Sequence, residues 1–435
     1  MALGGGTFQV QNKVLPGCYI NFVSAARATA TLSDRGYAAM PLELAWGPTG
    51  EVFTVTSEDF QKNSRKIFGY DYTHDALKGL RDLFLNVRTL YAYRLNGGGV
   101  KAANTYAEAK YAGTRGNNFT VRIQKNVDDP EKFDVSLYLD GSRLETQTVS
   151  TAAELVDNDF VVWKKEAVLA ETAGTPLADG TDSAVDGAAH QEFLDQIESY
   201  SYNILGVVTD DEKIKSLYVN FVKRMRDEVG AKFQVVLQGK AADYEGFINV
   251  KNEVTDEGVP KSSMVYWVTG AEAACAVNRS VLNKVYDGEF HPDVKLTQSQ
   301  LEAAIRAGEL TFHKVGQEIR VLNDSNSLVT MSADKGEVFQ DNQTIRVIDQ
   351  IANDIANLFC TKYLGLIPND ESGRISLWAD IVKHHEQLQD IHAIQDFSED
   401  DVTVSQGDSK KSVVVEDVIT VVNAMAILYM TVTVA

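Results

Sequence analysis

Apolar positions recur along this chain with two periods, and the places where the period changes divide it into parts. Across residues 36–56 alternation predicts two strands around a break at Trp46-Gly47-Pro48. Ser57 is placed to cap a short helix closing near Gly69, and a second helix is expected from about Thr73, with Leu77, Leu80, Phe84 and Val87 on one face. Residues 90–95 then read as a strand that ends at Gly97-Gly98-Gly99. That glycine run lacks the G-x-G-x-x-G spacing of a nucleotide loop and is expected to act as a hinge leaving a first folded unit.

Residues 107–165 hold a period of two. Strands are expected at 119–124 and 132–140, with Asp140-Gly141 as a two-residue hairpin turn, and at 160–163. The stretch 171–187 is rich in Ala, Gly, Asp and Thr, and reads as a mobile acidic loop with little to bury. From 193 to 323 the periods alternate: strand 203–209, helix 212–229 with Ile214, Leu217, Phe221 and Met225 inward and Gly230 at its end, strand 232–237, strand 264–269, and helix 271–282. Thr297 with Gln300 makes a capping box for a helix closing at Gly308. Such a succession predicts a mostly parallel sheet covered by helices, so the fold class is α/β and multidomain, with the β module inserted into the core.

Helix 342–359 carries Ile345, Ile348, Ile355 and Leu358 as a stripe, and Ser372 is placed to cap helix 374–392, with Ile375, Trp378, Val382 and Leu388 inward. Short β pieces at 402–404 and 412–415 complete an α+β C-terminal domain. The expected division is an N-terminal arm (1–20), a core in two parts (21–96 and 191–330), the inserted β domain (97–190), the C-terminal domain (331–415) and a C-terminal strand arm (416–435).

The two ends share a character. In residues 427–435 Leu428, Met430, Val432 and Val434 fall on one face of a strand, and Ile427, Tyr429, Thr431 and Thr433 on the other. Such a strand must pair within its own sheet or add to the edge of a neighbour's. Near the start, Gly4, Gly5 and Gly6 form a flexible joint, and Phe8 and Val10 alternate with polar residues before Pro16-Gly17. On these residues alone, pairing within the domain and exchange between subunits are equally open.

Composition narrows the function classes. With 435 residues, 44% hydrophobic and 23% charged, the chain is ordinary globular material for several cores. A formal net charge of −20 argues against nucleic acid or an anionic membrane as partner. Cys18, Cys275 and Cys360 are too few and too scattered for a disulfide framework or a metal site, and suit a reducing compartment. No signal peptide or spanning apolar run is visible, so the chain is expected to be made in the cytoplasm. No phosphate loop or G-x-S-x-G elbow appears, and no cofactor is expected. Asp210-Asp211-Glu212 suits a helix start. His384, His385 and His392, near Glu386 and Asp396, lack the adjacent-turn spacing of helical zinc ligands, which leaves a solvated or partner-facing helix.

Several stretches together resemble the contractile tail sheath proteins of bacteriophages and of phage-tail-like bacteriocins: PLELAWGP at 41–48, AKYAGTRGNNFTV at 109–121, FQDNQTIRVIDQI at 339–351, SGRISLW at 372–378, and VNAMAILYMTVTVA from Val422. The resemblance runs nearly end to end. It implies a structural subunit, not an enzyme, that polymerises in stacked rings of six around an inner tail tube, between baseplate and tail terminator proteins. Contraction of such a sheath drives the tube through a bacterial cell envelope. Assembly is implied in the cytoplasm of a bacterial host, and the released virion or bacteriocin carries the tail. It further implies terminal arms exchanged between subunits, through Phe8, Val10, Leu428, Met430, Val432 and Val434, with Gly4, Gly5 and Gly6 as hinge. The tube would be touched by a C-terminal-domain helix, with Lys383, His384, Glu386 and Gln387 outward, and the β insertion would be an outer decoration that moves at little cost. An α/β hydrolase-like enzyme with a β insertion, though without an identifiable nucleophile, and another virion shell protein stand as the alternative readings.

Overall fold

The computed structural model describes residues 32–434; Gly4, Gly5, Gly6, Phe8, Val10 and Cys18 lie outside the described residues. Strand β1 (Tyr37–Leu42) is buried along nearly its whole length, as the centre of a sheet requires, and β2 (Val52–Thr56) is half-buried at an edge. Helix α1 (Ser57–Phe68) is capped by Thr56, one residue before the Ser57 expected in that role. Thr56 accepts the Asp59 amide while the Asp59 carboxylate reaches back, and Gly69 closes the helix at φ 76°. A 3-10 turn leads into α2 (Lys78–Phe84), and β3 (Thr89–Arg94) returns beside β1.

The inserted module comprises β4 (Ala107–Ala109), β5 (Phe119–Lys125), β6 (Phe133–Leu139), β7 (Ser142–Val149), β8 (Val161–Trp163) and β9 (Thr172–Pro176). They form a four-stranded sheet in the order β7-β6-β5-β9 and a two-stranded one, β4-β8. Asp140 and Gly141 turn the β6–β7 hairpin with φ of 50° and 78°, the left-handed pair that a tight hairpin needs. The expectation of a mobile loop at 171–187 is corrected here. β9 pairs with β5, Ala178 and Thr181 bridge to Ala103 and Val100, and Leu177 is buried. Backbone pairing holds this stretch, and a low apolar content does not reveal that. The hinge reading of the glycine run is also corrected. A Cβ on Gly99 would lie 1.8 Å from the Thr181 carbonyl oxygen, so glycine permits a close crossing of two backbones.

The insertion, expected as an outer decoration that moves at little cost, is joined to the core by buried contacts. Trp46, from the core, is buried among Tyr111, Phe119 and Phe160 of the module. Arg94 donates to the Gly47 and Ala112 carbonyls and, at 2.9 Å, to Asp182. Arg115 stacks on Tyr70, donates to the Gly69 carbonyl and forks onto Asp140.

The core resumes with α3 (Gly187–Ile197), β10 (Ile204–Gly206), α4 (Glu212–Arg224), β11 (Gln234–Gln238) and β12 (Phe247–Val250). Asp211 caps α4, and Glu212 pairs with Lys215 and Lys240, so this acidic run is spent on the helix start. A single π turn then runs to Gly230 at φ 92°. Next comes α5 (Met264–Ala274), where a strand was expected at 264–269 and a helix at 271–282. Nine of the 11 residues of α5 are buried, so it has no polar face and no readable period. The strand of this unit is the four-residue, fully buried β12. Helix α6 (Gln298–Arg306) has its capping box at Thr297 and Gln300, and is followed by β13 (Glu309–Leu310) and the hairpin β14 (Phe312–Val315) and β15 (Glu318–Val321).

The central sheet runs β13-β12-β11-β10-β1-β3-β2. All its pairings are parallel except β2–β3. Two apolar clusters cover it, one with α2 and α5 on one face, the other with α3 and α4 on the opposite face.

The Arg94 guanidinium is fully enclosed. Asp182→Ala is therefore expected to cost about 3 kcal/mol by stranding a buried charge, read from the urea midpoint. An unchanged midpoint would refute the clamp.

Candidate functional site

The C-terminal part is built on two long helices. Helix α7 (Asn342–Leu358) is capped by Asp341 and continues through a π turn at Phe359–Tyr363. Of the apolar stripe expected on it, Ile345 and Leu358 are buried but Ile348 and Ile355 only half so. Its deepest face is polar instead. Arg346 meets Glu272 of α5 at 2.6 Å, Asp349 takes both guanidinium nitrogens of Arg226 at 2.5 and 2.7 Å, and Gln350 donates to Ser33 and Asp354. One side of α7 is thus pinned to the core by charge, and the other presents Ile348 and Ile351.

Helix α8 (Glu371–Asp390) is capped by Asp370, two residues before the expected Ser372. Leu377, Ile381, Val382 and Leu388 face inward, but Ile375, expected inward, is 57% exposed, and Trp378 is half-buried with its indole N–H on the Val402 carbonyl. The proposed outward set divides. Lys383 and Glu386 are exposed and Gln387 is half-buried, whereas His384 is 1% exposed, with Nε2 3.0 Å from Asp354. The reason is the helical row 377-381-384-388, which carries His384 inward with its leucine and isoleucine neighbours. His385 is buried beside it, between the Ile381 carbonyl and Asp417. Among the described residues, no group of three or more His, Cys, Asp or Glu is placed to hold a metal.

Burial alone would raise the Asp354 carboxyl, but bonds from His384, Ser33 and Gln350 outweigh it and hold the group below the usual carboxylate range. A depressed acid stabilises the fold above its unfolded value and loses that contribution on acidification.

Beyond α8 lie β16 (Ile394–Gln395), β17 (Val402–Gln406), β18 (Val413–Asp417) and β19 (Thr420–Val421). β17 pairs with β18 and β16 with β19, so residues 416–421, expected in the arm, belong to the folded domain. Val422 donates to the Ala393 carbonyl and Ala424 to the Gln343 side chain, and the chain then leaves the domain. Residues 425–434 form no strand and make no hydrogen bond with another described residue. Leu428, Met430, Val432 and Val434 are 84, 74, 70 and 89% exposed. Close by, an open apolar groove of about 410 Å³ runs between α7 and β19, lined by Phe339, Ile348, Ile351, Ala352, Ile419 and Val421. A second apolar patch, Leu364, Leu366 and Ile367, is exposed in the turn between the helices.

A covered α/β core, an attached β module and a C-terminal domain that leaves an apolar segment uncovered define a structural subunit, a part of an assembly. The chain belongs to the phage tail sheath family. Residues 35–95 match the domain III N-terminal region of tail sheath protein Gp18, 97–182 the phage tail sheath β-sandwich domain, 183–327 the central domain and 334–435 the C-terminal domain. The phage-like element PBSX protein XkdK of Bacillus subtilis is 32% identical, with 98% of this chain and 99% of that protein covered. The crystal structure of a sheath tail protein from Desulfitobacterium hafniense superposes with a TM-score of 0.80 at 37% identity, over 90% of this chain and 93% of that one. The same fold occurs in the contracted helical sheath of the anti-feeding prophage, at a TM-score of 0.59 and 13% identity over 97% and 99% of the two chains. The protein is thus a structural subunit of a phage tail sheath. Among the described residues, no helix is long and apolar enough to cross a membrane.

Asp354→Asn is expected to lower the melting temperature at neutral pH, with the deficit shrinking as pH falls through about 4. A deficit constant down to about pH 3 would remove the ionised Asp354 from the account.

Proposed function

We propose that the protein polymerises in stacked rings of six around an inner tail tube, between baseplate and tail terminator proteins, and that its shortening drives the tube through a bacterial envelope. Assembly then takes place in the cytoplasm of the bacterial host, before release of the tail. The observation that carries this reading is the uncovered apolar segment at 425–434, whose side chains stand in solvent beside an apolar groove in the same domain. A segment of that composition and alternation left open is an aggregation hazard, and pairing as a strand with a specific partner removes the hazard. The face Leu428, Met430, Val432 and Val434 seats on the C-terminal domain of a neighbouring subunit, against Ile348, Ile351 and Val421. The N-terminal arm, through Phe8 and Val10 and bending at Gly4, Gly5 and Gly6, adds a strand from a further subunit. Contraction then moves each folded body as a unit while the exchanged strands stay paired.

The surface toward the tube is the exposed edge of α8 at Lys383 and Glu386, with Gln387 at its margin; His384, buried against Asp354, is left out of it.

Deleting residues 428–435 is expected to leave a folded monomer with an unchanged melting temperature that no longer forms striated tubes in the electron microscope. Sheaths from the truncated chain would make the strand an ordinary edge. Lys383→Glu combined with Glu386→Lys is expected to preserve sheath–sheath contacts but reduce co-assembly with tube at least tenfold, measured by co-sedimentation. Normal extended tails from that variant would move the tube contact elsewhere.

A further inference from the structure

The seat of α7 contains two buried acceptors that the pairing described above does not fill. Glu272 on α5 and Asp324, in the segment before α7, both face one nitrogen of Arg346, at 2.6 and 3.5 Å, with side chains 0% and 2% exposed. Each spends one oxygen there. Glu272 uses Oε2, and Asp324 Oδ2 also takes the Ser280 hydroxyl at 2.7 Å and the Val281 amide at 3.0 Å. Their other oxygens, Glu272 Oε1 and Asp324 Oδ1, are buried without a hydrogen bond, as is the Asn342 amide nitrogen near Asp324, and both carboxyl groups converge on the same Arg346 nitrogen. Two facing carboxylates repel, and a lone pair buried without a donor is costly. One proton between the two groups removes both penalties.

We infer that Glu272 is protonated and donates to Asp324, so that one shared proton completes the seat of α7 and makes the stability of the joint between the central and C-terminal domains fall as pH rises until that proton leaves.

The surrounding groups fit this arrangement. Arg346 is the counter-charge to the one remaining carboxylate, while Arg35 is occupied by the carbonyls of Cys275 and Glu272 at 2.7 and 3.1 Å. Asp349 is matched by Arg226. Cys275 stays a neutral thiol, pushed up to about 11 by burial. Asp341 gives its carboxylate to the Gln343 and Thr344 amides. Asp324, with three donors on one oxygen, keeps the charge. Glu272 is raised to about 8, chiefly by burial and then by Asp324.

The sign of the pH effect follows. The folded protein holds one proton more than the unfolded chain from about pH 4 to the folded value, so stability falls as pH rises across that window and levels off above it.

The test compares the full chain with Glu272→Gln, whose amide supplies the same donor without a titrating proton. The joint lies within one chain, so the result is independent of whether sheaths assemble. The wild-type melting temperature should fall by several degrees relative to the variant between about pH 5 and 8, and the two curves should run parallel above that. Calorimetry in buffers of different ionisation enthalpy should find close to one proton taken up on folding near neutral pH, and none extra in the variant. The infrared spectrum of the wild type should carry a protonated-carboxyl band that titrates away in alkali and is missing from Glu272→Gln. Parallel pH profiles throughout, or no such band, would overturn the inference. So would failure of Glu272→Gln to fold, because the amide copies the neutral acid in shape.

Discussion

The C-terminal domain stands where it does because two arginines and three acidic side chains meet out of water. Arg346 lies against Glu272 and Asp324, and Arg226 against Asp349, with no room for any of them to be solvated. Desolvated ions are weak sources of net stability, but removing either partner strands the other, so the geometry is narrowly determined. An apolar contact between α7 and the core would tolerate sliding. A forked ion pair at 2.5 and 2.7 Å does not.

The same device appears at the other joint. Arg94 and Arg115 fix the β-sandwich to the core, and Trp46 is driven into its apolar centre. Both joints between β1 and β19 are therefore held by buried contacts. The segment after Ala424 is different, with apolar side chains and no pins. That contrast between charge-locked joints and an unlocked terminal segment is what a polymer needs if its subunits are to turn while staying joined.

The sequence made much of this legible where the signal was local. The capping box at Thr297, the left-handed glycines 69 and 230, the Asp140-Gly141 turn and the alternation in the sandwich all follow from short-range chemistry, whereas the cap of α1 was placed one residue late, at Ser57 instead of Thr56. What was not legible depended on contacts distant in sequence. The all-round burial of α5 erased its period, and β12 is too short to show one. The polar stretch 171–187 folds because β5 offers it an edge. His384 reads as a surface residue by type, yet the spacing of Leu377, Ile381 and Leu388 already placed it in the inward row. The buried charges of α7 were hidden behind its isoleucine stripe, since a period of 3.6 reports an apolar face and is silent about a buried ionic one.

The two faces of α7 also set a path for mechanical force. Ile348 and Ile351 line the groove, and Arg346 and Asp349, within two residues of them on the same helix, grip α5 and the π turn after α4. A pull applied at the groove passes across the width of a single helix into the central sheet, with no loop in between to stretch. The bonds that receive it are screened from ions by burial, so their hold is nearly indifferent to the salt of the medium.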